Sequence, residues 1–101
     1  MLKGYQKQYL KGCAHGLSPL VIIGQNGCTP TLIKAINASL ETRELIKIKF
    51  NDFKEKAQKE EILSQIVAKT AAILLAKVGH TAVLFRQNKD PEKRKFVIPV
   101  K

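Results

Sequence analysis

The fold is decided by the stretch PLVIIGQNGCTP at residues 19–30. Its apolar run at 20–23 is short, mostly β-branched and bounded by proline and glycine, which is typical of a strand buried on both faces. Thr29 belongs to a residue type favoured at helix N-caps, and Pro30 suits the first position of a helix. The stretch therefore predicts a strand, a glycine loop and the start of a helix.

An amphipathic helix is predicted ahead of this stretch, from Lys3 to His15. Its apolar residues recur close to every 3.6 positions, and Gly16 and Pro19 suit its end. Gly12 lies inside this helix, where glycine costs about 1 kcal/mol relative to alanine. We expect close packing against a neighbouring element to explain this glycine.

The sequence after the loop predicts the rest of a helix and then a strand. Helical periodicity continues from Pro30 to near Glu41. Residues 45–50 alternate between apolar and polar types, which predicts a strand with Lys47 and Lys49 on one face. That strand would therefore carry one basic face and one apolar face.

A third helix and a β-hairpin are predicted next. Periodic apolar residues, Phe53 and Ala57 among them, carry the helix, which we end near Ala71 because a hairpin needs a strand before its turn. Gly79 stands at the first central position of that turn. The two strands of the hairpin are predicted at 73–78 and 81–86.

The last part of the chain is predicted to add little to the core. Residues 87–95 are polar and lack periodicity, which predicts a loop, and residues 96–100 suit a short edge strand limited by Pro99. With 101 residues the chain is predicted to form a single domain. Its core would span about 3–86, followed by a polar loop and C-terminal tail at 87–101.

Charge and hydropathy patterns narrow the class of partner. Eighteen Lys and Arg stand against eight Asp and Glu, a formal net charge of +10 that favours polyanions such as DNA, RNA or ribosomal particles. No apolar run approaches the roughly 18 residues of a membrane span, and the N-terminus lacks the apolar core of a signal peptide. We expect a cytoplasmic protein with no membrane partner.

Cysteine and histidine spacings point to no cofactor. Cys13 and Cys28 form no CxxC pair, so we expect both to be free thiols that fill space. His15 and His80 share no ligand spacing with either cysteine, and we expect no bound metal. No nucleophile motif and no Walker lysine-serine pair occurs, so we predict no enzymatic activity and no small-molecule substrate.

The glycine loop is the main candidate site. Gly24 and Gly27 would let a ligand approach the backbone around Gln25 and Asn26, and the following helix presents free N–H groups and positive potential. An RNA phosphate suits such a site, as in the GXXG loop of KH domains. The alternative interpretation is that both glycines only make a turn.

A basic surface is predicted around this loop. Most of its cations lack acidic partners, because only eight carboxylate side chains serve the whole chain. Tyr5 and Tyr9 are candidates for stacking on bases, and packing against the core is the alternative for both. The cations predicted to bind RNA are Lys3, Lys7, Lys11, Lys34, Lys47, Lys49 and Arg86.

Four segments of the chain resemble one known family. They are LKGCAH at 10–15, PLVIIGQNGCT at 19–29, ELIKIK at 44–49 and GHTAVLFR at 79–86. In order and spacing they are similar to the YhbY-type proteins, the stand-alone bacterial form of the chloroplast RNA splicing and ribosome maturation (CRM) domain. The chain departs from the family pattern at Cys28, Phe85 and Ala71. Of these, Phe85 lacks the hydroxyl that a tyrosine would offer to RNA or to a neighbouring strand.

The resemblance implies both a fold and a function. The fold is a two-layer α/β sandwich of order αβαβαββ with a four-stranded mixed sheet, similar to the C-terminal domain of translation initiation factor three. The function is RNA binding through the loop at 24–27, with ribosomal RNA or a precursor of the large ribosomal subunit as partner. The resemblance thus favours a ribosome maturation factor. A ribosome-associated protein-interaction module without a direct RNA role is the alternative, followed by an enzyme acting on a small phosphorylated ligand.

Overall fold

The computed structural model describes residues 2–53, 55–96 and 98. It confirms the predicted order of helices and strands and the four-stranded mixed sheet. A short 3-10 turn, Pro91–Lys93, follows the last strand. The elements are α1 (Gly4–Ala14), β1 (Val21–Ile23), α2 (Pro30–Arg43), β2 (Leu45–Phe50), α3 (Lys56–Thr70), β3 (Ile73–Val78) and β4 (Thr81–Phe85).

The sheet places β2 and β4 at its centre and β1 and β3 at its edges, in the order β1-β2-β4-β3. β1 runs parallel to β2, with Val21 opposite Ile48, whereas β2, β4 and β3 pair antiparallel. The parallel pair results from the crossover through α2, since parallel neighbours need such a connection. As a consequence, the C-terminal ends of β1 and β2 lie at the same end of the sheet, and α2 and α3 begin near that end.

The larger part of the core lies between the sheet and the helices α2 and α3. Side chains at alternate positions of β2 and β4 point to this face, as the predicted alternation of β2 requires. The buried residues of this cluster are Val21, Ile23, Ile36, Leu40, Ile46, Ile48, Phe50, Ile62, Leu63, Ile66, Ala72, Ala82 and Leu84.

The first helix covers part of the opposite face of the sheet. Leu10 and Ala14 of α1 are buried against Leu45, Val83 and Phe85, which alternate with the residues of the larger cluster. Helices therefore flank the sheet on both sides. Because α1 lies over β2, β4 and β3 near one end, it leaves the rest of this face open.

The prediction that the first strand is buried on both faces is wrong. Val21 and Ile23 face the core, but Ile22 is 47% exposed and Leu20, just before the strand, is 45% exposed. The physical reason is the position of β1 at the edge of the sheet, beyond the reach of α1. The apolar run in the sequence could not distinguish this half-open strand from a central one.

The predicted element ends agree with specific backbone contacts. Thr29 caps α2, because its Oγ1 accepts a hydrogen bond of 3.1 Å from the backbone N–H of Leu32. Helix α3 ends at Thr70, and Ala71 adopts a left-handed conformation with φ 58°. Gly79 has φ 59° at the first central position of the β3–β4 turn, as predicted.

The apolar face of α3 differs from the prediction near its start, because Phe53 has φ 59° and lies before the helix, which begins at Lys56. Ala57 is exposed, whereas Lys59 is 5% exposed. The Lys59 Nζ donates a 3.0 Å hydrogen bond to the carbonyl oxygen of Gly79 and contacts the His80 ring. A buried cation at this position therefore fastens α3 to the β3–β4 turn. Such a partner is too distant in sequence to be read from helical periodicity.

The segment after β4 is anchored to the domain by one buried carboxylate. Glu44 is fully buried, and its carboxylate accepts hydrogen bonds from the backbone N–H groups of Asn88, Lys95 and Phe96. The ring of Phe96 meets that of Phe85 edge-on, with 6.4 Å between centroids. The edge strand predicted at 96–100 lies mostly outside the described residues.

Candidate nucleic-acid interface

The glycine loop forms a tight turn between β1 and α2. The backbone N–H of Gly27 donates a 3.0 Å hydrogen bond to the carbonyl oxygen of Gly24. Gln25 and Asn26, at the centre of this turn, are exposed. The backbone and side chains of the loop therefore lie on the surface immediately before the N-terminus of α2, where positive potential from the helix dipole is strongest.

The two glycines of the loop differ in how strictly the backbone requires glycine. Gly27 is buried, has φ 64°, and a Cβ built on it would lie 3.4 Å from the ring of Phe53. The turn itself therefore requires glycine at this position. Gly24 is exposed, and a Cβ built on it would meet no described heavy atom within 4 Å. The turn-only interpretation accounts for Gly27 and leaves Gly24 unexplained.

The ends of β1 and β2 and the β3–β4 turn lie together at the end of the sheet that carries the glycine loop. The N–H of Asn51 donates to the carbonyl oxygen of Ile23 at 3.0 Å, and that of Phe50 donates to the carbonyl oxygen of His80 at 2.7 Å. The end of β2 and the β3–β4 turn are thereby held next to the glycine loop. The loop therefore directly follows a hydrogen-bonded strand and is not part of a long flexible connection.

Two of the predicted lysines lie on the open part of the sheet, beside the loop. Lys47 and Lys49 project from β2 on the face that α1 covers only in part, and Lys49 is exposed. Lys49 is the register partner of Ile22 in β1, the residue two positions before Gly24. A basic and apolar surface thus continues from β2 across β1 to the glycine loop.

A groove runs between α1 and this open part of the sheet, and we call it the α1 groove. Its volume is about 440 Å³. It combines apolar side chains with two lysines, a histidine and two neutral polar groups. The α1 groove is lined by Gln8, Lys11, Gly12, Ala14, His15, Lys47, Ala76, Val78, Thr81 and Val83. Sequence reasoning placed Lys11 and Lys47 among the RNA-binding residues but did not bring them into one groove.

Lys3, Lys7 and Lys34 are not among the residues that line this groove. Lys3 is exposed just before α1, and Lys7 is half-buried one turn before Lys11. Lys34 is exposed on α2, which packs on the opposite face of the sheet. The structure therefore brings Lys11, Lys47 and Lys49 to one side of the sheet and leaves Lys34 on the other.

Arg86 must be separated from the predicted RNA-binding cations. Its Nη1 donates to the carbonyl oxygen of Thr70 at 2.7 Å and to Asn37 Oδ1 at 2.8 Å. Its Nη2 donates to the carbonyl oxygen of Asn37 at 3.1 Å and to Glu41 Oε2 at 3.3 Å. These bonds tie the second half of α2 and the C-terminal end of α3 to the residue after β4. The sequence could not show this role, because the partners are 16 to 49 residues away.

The elements α1, β1, the glycine loop and β2 contain no acidic residue. Residues 1–40 contain no Asp or Glu, and neither does β2. Three carboxylates are engaged elsewhere: Glu41 with Arg86, Glu60 with Lys77, and Glu44 with the C-terminal segment. Asp52 follows Asn51, whose backbone N–H donates a hydrogen bond to the carbonyl oxygen of Ile23, so this carboxylate lowers the positive potential beside the glycine loop.

The aromatic and thiol groups of α1 form no broad stacking platform. Tyr5 is half-buried, and Tyr9 is exposed with a hydrogen bond to Cys13 that raises the pKa of the tyrosine above its usual value. Cys13 and Cys28 are free, half-buried thiols that pack against the two clusters of the core, as predicted.

Among the described residues, no helix is long and apolar enough to span a membrane. No group of three metal-ligating side chains occurs in the same residues.

Comparisons with known proteins identify relatives of the chain and a solved structure with the same fold. The chain is 38% identical over 96 residues to a Haemophilus influenzae protein named as an RNA-binding protein, covering 95% of the chain and 93% of the relative. It is 34% identical over 90 residues to the Bacillus subtilis protein YqeI, named as a probable RNA-binding protein, covering 89% and 93%. The solution structure of a hypothetical protein from Staphylococcus aureus superposes with a TM-score of 0.76 at 34% identity, covering 98% of this chain and 100% of the other.

The family assignment rests on almost the whole domain. The profile of the CRS1 / YhbY (CRM) domain matches residues 2–86, from the start of α1 to the end of β4. The resemblance of the four sequence segments to YhbY-type proteins is thereby confirmed. The chain belongs to the CRS1 / YhbY (CRM) domain family.

Proposed function

We propose that this protein binds RNA, and that its partner is ribosomal RNA or a precursor of the large ribosomal subunit. The observation that carries the proposal is the basic surface of Lys11, Lys47 and Lys49 on one side of the sheet, which reaches the strand before the glycine loop through the pairing of Lys49 with Ile22. Residues 1–40 add no carboxylate to that side. A polyanion is the partner that such a charge distribution favours.

RNA is preferred over other polyanions for two reasons. The relatives from Haemophilus influenzae and Bacillus subtilis are named for RNA binding, and each aligns with most of this chain. The ribosomal part of the proposal rests on the resemblance to YhbY-type proteins. A cytoplasmic location belongs to the same proposal.

The mechanism we infer is backbone recognition. A phosphate is held at the glycine loop by exposed backbone and by the dipole of α2, while Lys47 and Lys49 widen the footprint over the sheet. Each phosphate contact adds about 0.7 to 0.9 to the slope of log affinity against log salt. Binding should therefore weaken steeply as salt is raised. No chemical step is needed, and we propose that the protein is not an enzyme.

Co-sedimentation through sucrose gradients, followed by crosslinking in cells, tests the function. We expect the protein to travel with large-subunit precursors and to crosslink to ribosomal RNA. Crosslinks confined to ribosomal proteins would replace RNA binding with a protein-interaction role. ATP or GTP hydrolysis above background, lost in Gly27→Ala, would show instead that the glycine loop serves an enzyme.

A further inference from the structure

We propose that the α1 groove holds an unpaired nucleotide of the bound RNA, with its base against the apolar floor of the groove. This inference rests on the proposed function and deepens it, because it specifies the form of RNA that binds. It depends on three observations: an unexplained glycine in α1, the mixed lining of the groove, and the charge at its rim.

The glycine in question is Gly12. It lies in the third turn of α1, where glycine is less favourable than alanine by about 1 kcal/mol. Its φ is not left-handed, and a Cβ built on it would meet no described heavy atom within 4 Å. The expected close packing against a neighbouring element is therefore wrong. Instead, Gly12 lines the α1 groove, where the missing side chain leaves the helix backbone open to a ligand.

The lining of the groove suits a nucleobase better than a phosphate alone. Ala76 and Val83 provide apolar surface, and Val78 at the rim is 71% exposed. A phosphate pressed against such a surface would lose water without gaining hydrogen bonds. A base has apolar faces for this floor and polar edges for the side chains of Gln8 and Thr81, which also line the groove. Pockets with an apolar lining and a few polar groups are typical of small-molecule sites.

The charges at the rim identify the rest of the ligand as a nucleotide. Lys11 and Lys47 flank the groove, and no lining residue is acidic. His15, also at the rim, offers an imidazole that can stack on a base. A base on the floor would thus leave its phosphates next to two cations. From Lys47 the open face continues through Lys49 to the glycine loop, so one strand can occupy both sites.

Only an unpaired base can enter this groove. In an RNA duplex the faces of the bases are covered by stacking, and only base edges, riboses and phosphates reach a protein surface. The inference therefore predicts a preference for single-stranded or bulged RNA. With one base held, we expect wild-type protein to bind a single-stranded oligonucleotide about tenfold more tightly than a blunt-ended RNA duplex with strands of the same length.

The test fills the groove at Gly12. Gly12→Leu is compared with Gly4→Leu, a matched substitution in the same helix where a Cβ also meets no described atom within 4 Å and which lies outside the groove. Leucine is a better helix former than glycine, so neither variant should lower the melting temperature. We expect Gly12→Leu to lose about tenfold in affinity for the single strand and to bind the blunt-ended duplex within about twofold of wild type. Gly4→Leu should bind both RNAs as wild type does.

The outcomes separate this inference from the proposed function. Unchanged binding of both RNAs by Gly12→Leu would overturn the nucleotide site while RNA binding itself stands. An equal loss for both RNAs would show that the groove only follows the backbone, which also overturns the inference. Failure of the wild-type protein to bind either RNA would remove the proposed function and the inference with it.

Discussion

The two sides of the sheet use positive charge in different ways. On the side of α2 and α3, Arg86 makes four hydrogen bonds at distances of 2.7 to 3.3 Å and Lys59 is bound to the β3–β4 turn. On the side of α1, Lys11 and Lys49 are exposed, and α1 and β2 themselves carry no carboxylate. Net charge alone therefore cannot identify a binding site. Cations that hold the fold must first be set apart from cations that face solvent.

The largest effect on stability is expected at Arg86. Arg86→Ala would leave the carbonyl oxygens of Thr70 and Asn37 without this donor and should lower the free energy of unfolding by about 2 to 3 kcal/mol. In a domain of this size, such a loss corresponds to a fall in melting temperature of about 10 °C or more. Thermal unfolding measures it. RNA affinity, measured well below the new melting temperature, should stay close to wild type, and a selective loss of RNA binding would return Arg86 to the interface.

The opposite result is expected from two lysines of β2. Replacing Lys47 and Lys49 together by alanine should reduce the slope of log affinity against log salt by about 1.4 to 1.8, because two phosphate contacts are lost. A control that removes the same charge, Lys69→Ala with Lys93→Ala, changes two exposed residues away from the open face. Equal slopes for the two double variants would show that only net charge matters.

The two glycines of the loop should respond differently to alanine. Gly27→Ala forces a side chain into a left-handed conformation and should cost about 1 to 2 kcal/mol of stability. Gly24→Ala should change the melting temperature little, since nothing described lies within 4 Å of the new methyl group. RNA affinity measured for Gly24→Ala should nonetheless fall if a phosphate approaches the backbone there. Wild-type affinity in that variant would favour the turn-only interpretation.

The smallest effect on stability is expected at the centre of the loop. Stability and RNA binding should change in opposite directions there. Gln25→Asp with Asn26→Asp places negative charge beside the N-terminus of α2, which should raise stability by about 0.3 to 1 kcal/mol or leave it unchanged. The same charge should repel a bound phosphate and weaken RNA binding. Melting temperature and RNA affinity are measured on the same samples. Unchanged affinity would remove the glycine loop from the binding site and leave the Lys3, Lys7 and Lys11 face of α1 as the candidate.

Sequence reasoning succeeded where local chemistry decides the structure. Thr29 and Pro30 mark the start of α2, and the alternation at 45–50 gives the residue range of β2. The hairpin was predictable because Gly79 supplies a positive φ at a fixed position of the turn. These features depend on neighbours within a few residues.

Sequence reasoning failed where the structure depends on distant contacts. The exposure of Ile22 follows from the edge position of β1, and the role of Arg86 follows from partners on two other helices. The open space around Gly12 could be recognised only once α1 was placed over the sheet. The number of lysines could be read from the sequence, but their positions on the folded protein could not. A run of charged residues does not show which face of the sheet its helix covers.

The most direct test of the account is a map of RNA contacts on the folded protein. Backbone amide shifts are recorded by NMR while a single-stranded RNA is added to the wild-type chain. We predict the largest shifts at the glycine loop (24–27), at Lys47 and Lys49, and at Gly12 in the α1 groove. Shifts concentrated instead on the exposed faces of α2 and α3, around Lys34 or Arg86, would contradict the claim that the α1 side of the sheet binds RNA.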